Sequence, residues 1–387
     1  MGTWTDRELA TLAEIAETFV RGDALRRARL TTEALERAAD PEQVWQFHRL
    51  LGLMESRFAN LILGRRPTRF TSMSPSARER YLLSWATSPF ASRRTAFATL
   101  RKLMTFLAYA DPGADASGNP RHAVIGYEPE SPPVAVDRAP IVPFALPFDV
   151  GPVDQPMTLE ADVVVVGSGA GGGVVAATLA EAGRSVVVLE AGPFVDEATM
   201  PRDELDAYGR LYLNYGLLST WDGSITMLAG SGVGGGTLVN WMTSIEAPPA
   251  VRAEWSRDHG LAELQDGEAW SFDIAALEDE LSVTPVRRVP PKDQVILTGA
   301  ERLGWEAAPV KRDSPGCDDC GSCPFGCRRG TKQSGIRVHL ARAAAAGARI
   351  VPQVRVTKVL IERGRAARGP CRGPGHDPGR RPRGRAR

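Results

Sequence analysis

The sequence predicts an α/β fold in which the α/β domain follows a small all-α domain. Three observations carry this. Apolar residues recur at helical spacing up to about residue 110, a proline-dense stretch runs from Pro129 to Pro156, and from Ala161 to Arg363 β-branched runs alternate with glycine turns and helical stretches. The expected boundaries are 1–125 for the helical domain, 126–158 for the connector, 159–363 for the α/β domain and 364–387 for a tail.

Composition narrows the partners. Of 387 residues, 43% are hydrophobic and 24% charged, enough to bury a core in each of two or three domains. Lys plus Arg number 47 against 46 for Asp plus Glu, so no global field favours nucleic acid or an anionic surface. The start, Met1 to Thr11, is polar and lacks an apolar signal core, and Asp6 stands where a myristoylation motif wants Ser or Thr. A cytoplasmic location is expected, with peripheral membrane association left open. Val163 to Ala180 is free of charge and long enough for a membrane span, but five of the seven residues from Gly167 to Gly173 are glycine. That suits a turn between a buried strand and a helix better than a lipid-facing helix.

The helical domain shows its own punctuation. Asp6 is expected to cap a first helix carrying Leu9, Leu12, Ile15, Phe19 and Val20, and Asp40-Pro41 to start a second along Val44, Phe47, Leu50, Leu51, Met54 and Phe58. Ser74-Pro75 starts a third through Tyr81, Leu82 and Trp85, and a fourth runs from about Ser92 to Ala110. These stripes read as core packing rather than as a cofactor box. Prolines at 129, 132, 133, 140, 143, 147, 152 and 156 exclude regular helix and suit an extended connector.

Ala161 to Ala177 is a run of valines that enters a Gly-x-Gly-x-x-Gly turn and then a helix. Gly167 permits the tight turn, Gly169 lets the backbone approach a pyrophosphate, and Gly172 lets helix and strand pack closely. With Ser168, Ala170 and Gly171 they place the helix amino terminus, with its free N–H groups and partial positive charge, against the phosphates. A second strand, Ser185 to Leu189, ends in Glu190, a carboxylate suited to both ribose hydroxyls of an adenosine and unsuited to a 2′-phosphate. A Rossmann-type domain follows from strand, turn, helix and acid in that order.

A second glycine cluster from Ala229 to Trp241, with Gly234, Gly235, Gly236 and Asn240, favours FAD over NAD. Consecutive glycines let backbone amides lie against a flat ring system, and Asn240 offers a polar handle for the flavin or pyrophosphate.

Gly167 to Gly172, Leu189-Glu190-Ala191-Gly192 and Gly234 to Asn240 together resemble successive motifs of the glucose–methanol–choline (GMC) oxidoreductase family. The form Gly230-Ser231-Gly232-Val233-Gly234-Gly235-Gly236 is similar to its long-chain alcohol oxidase branch, although Ser231 stands where many members have a basic residue or asparagine. Arg78 to Trp85, Arg94, Phe97, Asn119-Pro120 and Ile125-Gly126-Tyr127 resemble the front region of that branch. The resemblance implies a Rossmann-type FAD-binding domain preceded by a small all-α domain. The first turn and Glu190 would hold the ADP half of FAD, the second loop would lie by the flavin, and Val356 would contact adenine. It implies oxidation of a primary, long-chain alcohol to the aldehyde, with oxygen or another acceptor reoxidising the flavin.

Cys317, Cys320, Cys323 and Cys327 have the spacing of a ferredoxin-type cluster run, although Arg328 replaces the usual proline. The same stretch resembles a cysteine-rich segment of the alcohol oxidases that need not hold metal. No metal ligand is assigned; reduced thiols, a disulfide and a cluster stay open. The family's catalytic histidine lies in a carboxyl-terminal region, and none of His48, His122, His259, His339 and His376 sits in a matching motif, so no catalytic residue is named. Residues 364–387 turn to Arg, Gly and Pro, which cannot pack a core, and the change is abrupt after the strand pattern Val354 to Ile361. An aberrant carboxyl terminus is expected, and with it a chain incomplete for catalysis. The alternatives are a non-catalytic FAD-binding fragment and an iron–sulfur flavoprotein in electron transfer.

Overall fold

The structure is a computed structural model that describes residues 4–38, 41–64, 67–113, 118–127, 158–197, 199–220, 225–362, 365–368 and 371–372. Most of the proline-rich connector lies outside them. The described chain divides into two compact units, one of residues 1–129 with 203–229 and one of 130–202 with 230–387.

The first unit is helical: α1 (Asp6–Phe19), α2 (Ala24–Ala38), α3 (Pro41–Met54), α4 (Arg57–Gly64), α5 (Pro75–Ala86), α6 (Ala91–Ala110) and α7 (Pro120–Ile125). Thr5, not Asp6, caps α1: its hydroxyl accepts from Glu8 N while Glu8 reaches back to the Thr5 amide, a capping box that moves the start by one residue. Leu12 and Ile15 of α1, Met54 of α3, Leu82 of α5 and Leu100 and Met104 of α6 share one core.

Helix α2 has no counterpart in the sequence reading, because its inward face is mostly polar. Arg27, Ala28, Thr31 and Leu35 are buried at helical spacing. The Arg27 guanidinium donates to the Ala16 carbonyl at 3.2 Å and to that of Val20, so a charged residue closes the end of α1 instead of pointing to water. The face expected to run on to Phe58 breaks at Met54, and α4 begins at Arg57 with Phe58 exposed. Residues 203–229, which fall inside the span expected for the α/β domain, fold with the helices.

The second unit is built on a parallel sheet. β1 (Val163–Val166) pairs in register with β2 (Val186–Leu189), Val163 opposite Val186, and α8 (Ala170–Glu181) connects them. The strand Arg349–Val351 pairs parallel on the other side of β2, Val187 opposite Arg349, which leaves β2 central and its valines buried. Helix His339–Ala345 packs against α8, and a Cβ on Gly173 would lie 3.2 Å from that of His339.

The strand expected over Val354 to Ile361 is broken into Arg355–Val356 and Leu360–Glu362. Within the span 364–387, expected to lack regular structure, the described residues 365–368 and 371–372 form two strands. Arg365–Arg368 pairs antiparallel with Leu360–Glu362, and Cys371–Arg372 with Arg355–Val356, Cys371 opposite Val356. Antiparallel pairing satisfies backbone N–H and C=O groups without apolar side chains, so composition alone does not reveal these two short strands. No helix among the described residues is long and apolar enough to cross a membrane.

Candidate functional site

The site grows from the end of β1. Gly167 has φ +89°, a left-handed conformation that disfavours side chains, and its amide donates to the Leu189 carbonyl at 2.9 Å, tying the turn to the end of β2. Gly169 is the N-cap of α8 and supplies no side-chain cap, so Ala170 and Gly171 begin a helix whose amino terminus is open to an anion.

The glycines of the turn divide into two kinds. A Cβ on Gly172 would sit 2.0 Å from the Gly167 carbonyl oxygen, so the protein's own packing demands glycine there. At Gly169 and Gly171 no protein atom lies within 4 Å of an added Cβ. The space beside them is free for a ligand, as it is beside Gly236 in the second loop.

Glu190 ends β2, its amide donating to the Val351 carbonyl at 2.9 Å and its carbonyl accepting from Val354 at 2.7 Å. Its carboxylate is buried. Oε2 accepts from the Ser168 amide at 2.9 Å and the Ser168 hydroxyl at 2.7 Å, and Oε1 accepts from the Gly192 amide at 2.7 Å. The Ser168 hydroxyl also accepts from the Gly234 amide at 3.0 Å, so one fully buried side chain joins the first turn, the acid and the second glycine loop.

The second loop lies directly on the first. Gly234 (φ +101°) and Gly235 (φ +57°) are left-handed; a Cβ on Gly235 would stand 2.7 Å from Gly169 Cα, and one on Gly192 would stand 2.4 Å from Gly232 N. Only glycine allows backbones this close. The structure therefore gathers Gly167, Ser168, Gly169, Ala170, Gly171, Gly172, Glu190, Gly234 and Gly235 at one place. Asn240, at the exit of the loop, is exposed, its amide bonded to the Gly236 carbonyl at 3.0 Å. Val356 is half-buried, two residues beyond the Val354 amide that binds Glu190.

Sequence reading assigned no role to Lys332, which is 1% exposed. Its ammonium donates to the carbonyls of Leu238 (2.8 Å), Asn240 (2.9 Å) and Cys323 (3.0 Å). Burial pushes its pKa down, opposed by the nearby Cys323, Cys327, Asp313 and Cys317. Nothing in the sequence marks a lysine as buried, so only the fold could show it.

Cys317, Cys320, Cys323 and Cys327 are free thiols, and among the described residues no group of three or more His, Cys, Asp or Glu is arranged to hold a metal. Burial pushes the Cys323 thiol up to about 11. Cys327 is fixed by backbone, its amide donating to Met200 Sδ at 3.0 Å. Neither His48, paired with Glu8 at 2.6 Å and stacked on Trp4, nor His122, 2.6 Å from the Tyr109 carbonyl, belongs to this cluster. His339 is buried against α8, and burial pushes its pKa down. His376 lies outside the described residues.

The comparisons fall on the two segments that build the site. Residues 162–200 match the model of an FAD binding domain and residues 208–372 that of GMC oxidoreductase. A long-chain-alcohol oxidase of Arabidopsis thaliana is 36% identical over 212 residues, 54% of this chain and 28% of that protein. A GMC-type oxidoreductase of Mycobacterium tuberculosis strain H37Rv is 38% identical over 218 residues, 55% of this chain and 34% of its own. Among solved structures, pyridoxine 4-oxidase from Mesorbium loti aligns with a TM-score of 0.36 at 16% identity, over 56% of this chain and 47% of that one. The matched region thus spans about a third of the length of these relatives. The open flanks of Gly169, Gly171 and Gly236 fit a dinucleotide, the fold is a Rossmann-type α/β unit with a helical unit, the cofactor is FAD, and residues 208–372 are similar to the GMC oxidoreductases.

Proposed function

We propose that the protein serves FAD-dependent oxidation of a primary, long-chain alcohol to its aldehyde. The observation that carries the cofactor half is the single hydrogen-bonded unit Gly234–Ser168–Glu190, which holds a phosphate-binding turn and a glycine loop edge to edge. The substrate half is supported by the names of the relatives, long-chain-alcohol oxidases 35–37% identical over about half of this chain.

In this reading Gly167, Ser168, Gly169, Ala170, Gly171 and Gly172 cradle the pyrophosphate at the start of α8, and Gly169 and Gly171 leave it room. Glu190 has one lone-pair position left, on Oε1, for a ribose hydroxyl beyond the three bonds it already accepts. Gly234, Gly235 and Asn240 border the flavin, and Val356 lies toward adenine. Bound FAD supplies the hydride acceptor. The residues of this site hold and orient; no histidine, and no other base, is assigned to the alcohol's proton. The electron acceptor is oxygen or another oxidant, and the cytoplasm is the proposed location.

The test is an absorbance spectrum of the purified chain, followed by anaerobic addition of a long-chain primary alcohol. Flavin bands that bleach support the full reading. Stable flavin bands without bleaching would sink the oxidation half, and absence of flavin after incubation with FAD would sink both.

A further inference from the structure

We propose that Lys332 is a positioning residue for the flavin: its ammonium fixes the exit of the second glycine loop and so the surface that the flavin ring meets. This rests on the FAD reading above. An ammonium has three donors, and all three are spent on the carbonyls of Leu238, Asn240 and Cys323. Lys332 is therefore committed to holding backbone and is not free to act as nucleophile or base.

The position of those carbonyls gives the bond its purpose. Gly235–Leu238 is a single helical turn, and the last carbonyls of such a turn lack partners within it. Burying them needs a donor, and burying an ammonium is costly unless its protons are accepted; each solves the other's problem. The loop is held elsewhere as well. The Gly234 amide donates to Ser168 at 3.0 Å, and the Thr237 hydroxyl donates to the Gly234 carbonyl at 2.6 Å while accepting from the Gly335 amide at 2.9 Å. Lys332 and Gly335 thus brace the loop from one short segment, while the flank of Gly236 stays open. The third bond, to Cys323, links the cysteine-rich stretch to the same strut without requiring its thiols to react.

The experiment uses the 387-residue chain and its K332M, K332Q and K332R variants. Amide hydrogen exchange across Gly234–Asn240 is followed without FAD, and the FAD dissociation constant and visible flavin spectrum are measured by titration. Loss of charge-assisted bonds to buried carbonyls is expected to speed loop exchange and to weaken FAD binding by about tenfold or more in K332M, with K332R within about threefold of wild type. K332Q, which keeps two donors, falls between. A folded K332M with wild-type exchange, affinity and flavin spectrum overturns the proposal. So does a set in which K332M and K332Q fail to fold while K332R folds and binds FAD weakly. If the wild-type chain itself binds no FAD, the cofactor reading falls, and the exchange data then show whether the strut exists without it.

Discussion

The Ser168 hydroxyl stands 2.7 Å from Glu190 Oε2 and accepts the Gly234 amide at 3.0 Å, so the two glycine loops share one buried hydroxyl. Ser168→Ala keeps the bond from the residue's own amide to Glu190 but leaves Gly234 N–H without its acceptor. An unpaired buried donor costs about 1–3 kcal/mol. The variant should melt earlier than wild type and bind FAD more weakly, read by thermal unfolding and flavin titration. An unchanged melting temperature and affinity would show that the shared hydroxyl does not couple the loops.

Gly169 and Gly172 should fail in different ways. A methyl at Gly172 meets the Gly167 carbonyl oxygen at 2.0 Å, so strand and helix must part, a packing conflict of about 1–3 kcal/mol or more. Gly169 has φ −63° and open space beside it, so Gly169→Ala should fold and melt like wild type yet lose FAD affinity, because the methyl occupies room the pyrophosphate needs. Circular dichroism with FAD titration separates the two. A Gly169→Ala chain with full affinity would place the phosphates elsewhere.

In the helical unit the Arg26 guanidinium grips Asp111 at 2.5 and 2.7 Å. Burial of Asp111 works to raise its pKa, but the Arg26 hydrogen bonds, the Gly113 amide and the charges of Arg26 and Arg121 outweigh it and hold the carboxyl below its usual value. A depressed folded pKa means that the stabilisation is full above the unfolded value, near 3.9, and is lost as pH falls through the folded one. Because the Arg26 side chain is 40% exposed, solvent screening limits the pair to about 1 kcal/mol. Asp111→Asn should therefore lower the melting temperature at pH 7, and its difference from wild type should shrink below about pH 4. A gap that stays constant down to pH 2 would assign it to something other than the charge.

Burial raises the Cys323 thiol to about 11, against the opposing pull of Lys332, so it carries little thiolate at pH 8. Of Cys317, Cys320, Cys323 and Cys327, it should be the slowest to take up iodoacetamide in the folded chain, as peptide mapping by mass spectrometry would record. Cys323 labelling ahead of the other three would contradict its burial.

What was legible in the sequence follows a physical pattern. The Val163–Val166 strand, its glycine turn and α8 are local, and each residue type has one conformational reason to be there. The prolines at 41 and 75 start helices because a fixed φ and a missing N–H suit a first turn. Helix α2 was illegible because Arg27, Thr31 and Thr32 share its buried face with Ala28 and Leu35, and such polar residues ordinarily mark a solvated surface. The strands Arg365–Arg368 and Cys371–Arg372 were illegible because backbone pairing carries them and leaves no apolar pattern.

By itself the sequence determined the dinucleotide turn, the acid at Glu190 and the existence of a second glycine loop, since glycine at a left-handed position and a carboxylate at a strand end are local requirements. The tertiary structure decided how those pieces meet: through Ser168 between Glu190 and Gly234, and through Lys332 between Leu238, Asn240 and Cys323. The reason is that a buried polar side chain is tolerated only where distant backbone groups complete its hydrogen bonds, and the positions of distant groups are set by folding rather than by neighbouring residues.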